Sequence, residues 1–149
     1  VAAFLFFLMP VAVGGYSIYS AGTAWPQRTA WPGARITSTV LDEWQTHRSG
    51  APKIIIGSTF EAGLIAHFSP DKPTVLTDGS FAKSPWVTLK MINDNGALLV
   101  WTGADGHLTY PHNIAGIEMT QFQAAGKIPI VHKGKSIFFH WAILAPKRK

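Results

Sequence analysis

The chain contains no cysteine. That excludes disulfides and every cysteine-based zinc site, and it leaves the redox compartment open. Charge is the second scarcity. Asp, Glu, Lys and Arg make up only 14% of the 149 residues, against a usual share of about 25%. The first 27 residues carry no charged side chain at all. The net charge is nevertheless +5, but the basic residues are scattered apart from Lys147-Arg148-Lys149, which reads as a solvated tail. A nucleic-acid interface needs its cations gathered on one face to meet the phosphates, so no nucleic-acid partner is expected. Metal-ligand spacing is missing as well. The six histidines (His47, His67, His107, His112, His132 and His140) contain no HxxxH or HxH pair, and no metal site is expected. His107 and His112 do share a loop, without a supporting spacing. No GxSxG surrounds Ser58 or Ser80, so neither has the setting of a nucleophile elbow.

What the chain has is apolar material: 47% of its residues are hydrophobic, enough for one domain with a real core. Val1–Ser20 is apolar or small throughout. It reads as the end of a transmembrane helix, with a signal-peptide core or a buried helix as the alternatives. Tyr16, Tyr19, Trp25 and Trp31 follow where an interfacial aromatic belt would lie. A chain that opens on Val1 also reads as a piece of something longer. The expected organisation is residues 1–22 as the end of the membrane helix, 23–31 as a juxtamembrane linker and 32–149 as an extracytoplasmic α/β domain.

Within that domain, Pro32 suits the first residue of a helix running to about Arg48. Ile36, Val40, Leu41 and Trp44 supply its buried face. Ile54-Ile55-Ile56 is a short β-branched run that suits a strand covered on both faces. After it come a turn between Gly57 and Gly63, a short helix, the turn Ser69–Pro73 and a second strand ending at Asp78. Ser84 as N-cap and Pro85 as first helical residue predict another helix, buried through Trp86, Leu89 and Ile92 and closed by Asn95-Gly96. Ala97–Thr102 is a third buried strand and Gly103–Pro111 a loop. Ile114–Ala125 reads as a short helix weakened by Gly116. Ile128–His132 and Ser136–Leu144 read as a hairpin, with Phe139 and Trp141 alternating against His140 and Ala142 as in a half-exposed strand. The expected fold is a small α/β sandwich. It has a three-strand, mostly parallel core, crossover helices and a C-terminal antiparallel hairpin, and it follows the end of a membrane helix.

Open α/β sheets place ligands at the carboxyl ends of their strands, which directs attention to Gly57–Gly63. A P-loop needs Lys and then Ser or Thr after its second glycine, and here Leu64-Ile65 follows Gly63; a dinucleotide fingerprint needs glycine where Thr59 stands. The helix start could still bind an anion. Equally, Glu61 simply suits a helix N-terminus. Glu61 and Asp78 could line one crevice and do acid–base work or hold a cation, although Asp78-Gly79-Ser80 is also an ordinary turn. Gly57, Ser58, Glu61, Asp78 and Trp101 are therefore the candidates for a ligand or docking crevice. No residue is expected to be catalytic.

Lys53–Pro73, with Ala62-Gly63 and the run Phe68–Pro73, resembles bacterial membrane glycosyltransferases of family 39, relatives of dolichyl-phosphate-mannose protein mannosyltransferases and lipid A aminoarabinose transferases. Ser84-Pro85-Trp86, Gly96–Trp101 and Trp141–Pro146 extend the resemblance over about Pro32–Pro146. Ser58 departs from it where an acidic residue is often seen, and His67 where an aromatic is usual. The resemblance implies the soluble C-terminal domain of a polytopic enzyme of the bacterial inner membrane, lying on the periplasmic side. Such an enzyme takes a sugar from a polyprenyl-phosphate-linked donor to an acceptor that the resemblance does not identify. Its catalytic acid lies in an early extracytoplasmic loop outside this chain, so no catalytic residue carries over and no cofactor is implied here. The domain's first partner would be the membrane portion of the same polypeptide. The alternative is a membrane-anchored binding module for a sugar or a small anion.

Overall fold

A computed structural model describes residues 31–103, Tyr110, Ile114, Ile117, 122–132 and 135–147. The readings of Val1–Ser20, of its aromatic belt, of the loop holding His107 and His112 and of the hairpin turn lie outside these residues. No helix among the described residues is long and apolar enough to cross a membrane. The chain divides into two compact units. Of the smaller, residues 1–31 with 131–135, only Trp31, Val131, His132 and Lys135 are described. The larger, residues 32–130 with 136–149, carries the sheet apart from the tips of its last two strands.

The elements are α1 (Gly33–His47), β1 (Ile54–Gly57), α2 (Thr59–Phe68), β2 (Thr74–Thr77), α3 (Leu89–Asn95), β3 (Ala97–Gly103), β4 (Phe122–His132) and β5 (Lys135–Leu144). The strands form one sheet in the order β2-β1-β3-β5-β4. β1 pairs in parallel with β2 and β3, and β5 runs antiparallel to β3. The fold is thus the expected mixed α/β sheet, parallel at its core and closed by an antiparallel hairpin.

Side-chain alternation splits the core into two faces. Ile54 and Ile56 join Leu76, Val87, Ile92, Leu99 and Leu144 in one cluster, on the α3 side. The opposite face belongs to α2. A methyl placed on Gly57 would meet the Ala62 methyl of α2 and the Val100 side chain of β3. Ile54, Ile55 and Ile56 are all at most 1% exposed, and burying each contributes about 1.5–3 kcal/mol. α1 lies against α2, with Gly33 beside Phe68 and Leu64. Its Ile36, Val40 and Trp44 are buried, Leu41 is half-buried, and the Trp44 indole donates to the Gly50 carbonyl at 2.9 Å.

Three expectations are corrected. α3 starts at Leu89 with Thr88 as its N-cap, whose Oγ1 accepts the Met91 N–H at 3.2 Å. Ser84, fully buried, instead accepts the Thr77 N–H at 3.0 Å, and Trp86 stands 60% exposed while Val87 takes the buried place. Phe122–Ala125 belongs to β4, and the described Ile114 and Ile117 are not helical. Finally, β5 is not half-exposed. Phe139, His140, Trp141 and Ala142 are all buried: His140 stacks on Trp101 and Ala142 joins the α3-side cluster, while on the other face the Trp141 ring lies against Gly126 of β4.

Candidate functional site

β1 sits between β2 and β3, so the chain leaves it on one side and returns on the other. The two crossover helices consequently cover opposite faces, and the strand ends diverge at the carboxyl ends of β1 and β3. Such a switch point is where open α/β sheets hold ligands. Gly57 and Ser58 stand at one side of it, Thr102 and Gly103 at the other.

Ser58 is the N-cap of α2. Its Oγ accepts the backbone N–H of Phe60 at 3.2 Å and of Glu61 at 3.5 Å. The same hydroxyl donates to Glu61 Oε2. Thr102, reaching from β3, donates its hydroxyl to Glu61 Oε1 at 2.7 Å. The Glu61 side chain thus spans from its own helix start to the neighbouring strand while only 8% exposed. A buried carboxylate requires such donors, since burying its charge unpaired would cost far more than the bonds return. Ser-x-x-Glu is the sequence signature of a capping box, and Ser58-Thr59-Phe60-Glu61 carries it. Nothing in the sequence marks Thr102 as the third member, because only the β1–β3 pairing brings it there.

Asp78 lies at the carboxyl end of β2. Its N–H donates to the Gly57 carbonyl at 2.7 Å, so the backbone ties the two strand ends together. With φ 53 at Asp78 and 67 at Gly79, and a Ser80 N–H to Thr77 carbonyl bond of 2.9 Å, residues 77–80 form a turn with both central residues left-handed. Asp and Gly favour that geometry. The Asp78 carboxylate pairs with Lys83 at 2.6 Å.

Tyr110 enters this region although nothing in its surrounding sequence singles it out. Burial pushes its phenol well above the ordinary tyrosine range, and the charges of Asp78 and Glu61 add to the effect. The phenol therefore keeps its proton well beyond the ordinary range. Trp101 places its ring edge-on to Tyr110 at 5.3 Å and stacks on His140 at 5.3 Å.

The five sequence candidates separate accordingly. Gly57, Ser58 and Glu61 form one hydrogen-bonded corner, and Asp78 joins it through its backbone. Trp101 faces the α3 side with Tyr110, across the sheet from Thr102. Among the described residues, no group of three or more His, Asp and Glu side chains could hold a metal ion. No protein-family model, curated protein or solved structure matches the chain.

Proposed function

We propose that this chain is a non-catalytic extracytoplasmic domain of a membrane glycosyltransferase that uses a polyprenyl-phosphate-linked sugar donor. It packs on the enzyme's membrane portion and shapes the acceptor entrance or stabilises the whole. The parent class rests on the order and spacing of the motifs in Lys53–Pro73, Ser84–Trp86, Gly96–Trp101 and Trp141–Pro146. The non-catalytic role rests on one observation: both crevice carboxylates already have partners within the domain. Glu61 takes donors from Ser58 and Thr102, and Asp78 pairs with Lys83. A general acid or base must reach a substrate proton, and these carboxylates are committed to neighbours within the domain.

The test is made on the full-length enzyme. Glu61→Gln and Asp78→Asn should leave sugar transfer unchanged in protein that folds, while deleting residues 32–149 should lower turnover or acceptor affinity. Unchanged folding, acceptor affinity and turnover after the deletion would sink the proposal.

The switch-point position favours a second reading, a membrane-anchored module that binds a sugar or small anion near Gly57 and Ser58. Calorimetry on the chain alone, with polyprenyl phosphates and sugar phosphates, separates the two. A self-sufficient binder responds without a membrane partner.

A further inference from the structure

At the opposite end of the sheet, where β1 and β2 begin, lies a cleft of about 430 Å³ that includes Pro52, Lys53, Asp71, Lys72 and Pro73 in its lining. Small-molecule sites start at about 300 Å³, so the space suits a compact ligand. Two exposed lysines in its wall bear on what it could hold.

The first is Lys72. Its φ is 47, in the left-handed region where a side chain with a Cβ is strained. It also precedes Pro73, which restricts its backbone further. Glycine or asparagine would make this turn at less steric cost. What lysine adds is the ammonium, whose Nζ donates to the His67 carbonyl at 2.6 Å, at the C-terminal end of α2. An ammonium has three donors, so this bond leaves two. The second feature is Lys53, whose ammonium has no ion pair or hydrogen bond among the described residues. Flanking prolines stiffen both positions. Asp71 shares the cleft and keeps its lining at a net single positive charge. A carboxylate only accepts hydrogen bonds, so it repels a fully ionised anion and favours one that retains a proton.

We propose that this cleft is a phosphate-binding site, with Lys53 and Lys72 pairing to phosphate oxygens and Asp71 accepting the proton of a monoprotonated phosphate. The phosphate could be free or carried on a lipid headgroup. Strain at Lys72 is then the cost of placing a preorganised cation.

The test uses the full chain in nonionic detergent, titrated with inorganic phosphate and, separately, with sulfate. A parallel arm measures its association with phosphatidylcholine vesicles with and without phosphatidate. Saturable binding of phosphate, at least threefold tighter than sulfate, is expected for a free-phosphate site. Association only with phosphatidate-bearing vesicles identifies the headgroup as the source. In either case Lys53→Met and Lys72→Gly should each weaken binding at least tenfold. Lys72→Gly should at the same time leave the thermal midpoint unchanged or raise it, since glycine relieves the strained φ. A lysine that served only as a helix cap would do the reverse, lowering the midpoint with no effect on binding. No response in either arm, an equal response to sulfate, or binding that survives both substitutions overturns the proposal.

Discussion

At the scale of single residues, the two glycines that bound the β1–α2 turn look equivalent in the sequence and are not. A Cβ at Gly57 would lie 2.5 Å from the Val100 carbonyl oxygen and 2.9 Å from its side chain. The obstacle is a neighbouring strand's backbone, which cannot turn aside as a flexible side chain can. Gly57→Ala should therefore destabilise by about 1–3 kcal/mol, the usual cost of overpacking. Gly63, within α2, would meet nothing within 4 Å. There an alanine gains helix propensity, and Gly63→Ala should stabilise by about 0.5–1 kcal/mol. Urea unfolding of both variants checks the pair, and two shifts of the same sign would contradict the packing. The turn itself was legible, since Gly57 follows three β-branched isoleucines. The asymmetry was not, because it depends on β3, some forty residues away in the chain. Thr102 escaped notice for the same reason: its role exists only after β1 and β3 are paired.

At the scale of elements, Ser84-Pro85-Trp86 shows how one local signature can serve a different end. Ser before Pro satisfies the rule for a helix start, yet Thr88 caps α3 and Ser84 does something else. β2 is an edge strand. Its Thr74 and Asp78 N–H groups bond to β1's side of the sheet, which leaves the groups of Val75 and Thr77 pointing outward. The 80–86 segment meets three of these four groups. The Thr77 N–H goes to Ser84 Oγ, the Thr77 carbonyl to the Ser80 N–H, and the Val75 carbonyl to the Trp86 indole at 3.3 Å. Covering an edge in this way removes a template for unwanted strand pairing. It also explains why a tryptophan stays 60% exposed: its ring is held by its N–H as much as by burial. Ser84→Ala should cost about 1–3 kcal/mol, because a buried donor is left unpaired. Trp86→Phe loses one exposed bond and should cost less than about 1 kcal/mol. Hydrogen exchange at the Thr77 amide gives the direct reading. It should quicken in Ser84→Ala and stay near the parent rate in Trp86→Phe.

At the scale of the whole molecule, the parallel β1–β2–β3 core followed from three apolar runs separated by helical crossovers. The strand order needed the structure. The buried state of β5 also needed it, because alternation of aromatic and small residues fits a half-exposed strand until Trp101 is seen over His140 on one face and Gly126 against Trp141 on the other. That order brings three carboxyl ends together, and the charges of Asp78 and Glu61 are felt at the buried Tyr110. The energetic consequence is a pH dependence of the whole unit. Burial first, then Asp78 and Glu61, raise the Tyr110 ionisation above its ordinary value of 10.0. Below that pH both folded and unfolded chains hold the phenolic proton, and this group's contribution is fully present. As pH rises past it the unfolded chain ionises first and binds fewer protons, so stability falls, by up to about 1.4 kcal/mol per pH unit from this one group. Tyr110→Phe removes that dependence while keeping the ring against Trp101. Denaturant unfolding of both proteins between pH 9 and 11, as conditions chosen around that ordinary value, should give stability curves that run parallel below it. Above it the parent should fall more steeply than the variant. Lysine titration affects both proteins alike and cancels in the difference. Curves that remain parallel to the alkaline limit would place Tyr110 outside the packed junction of the three strands.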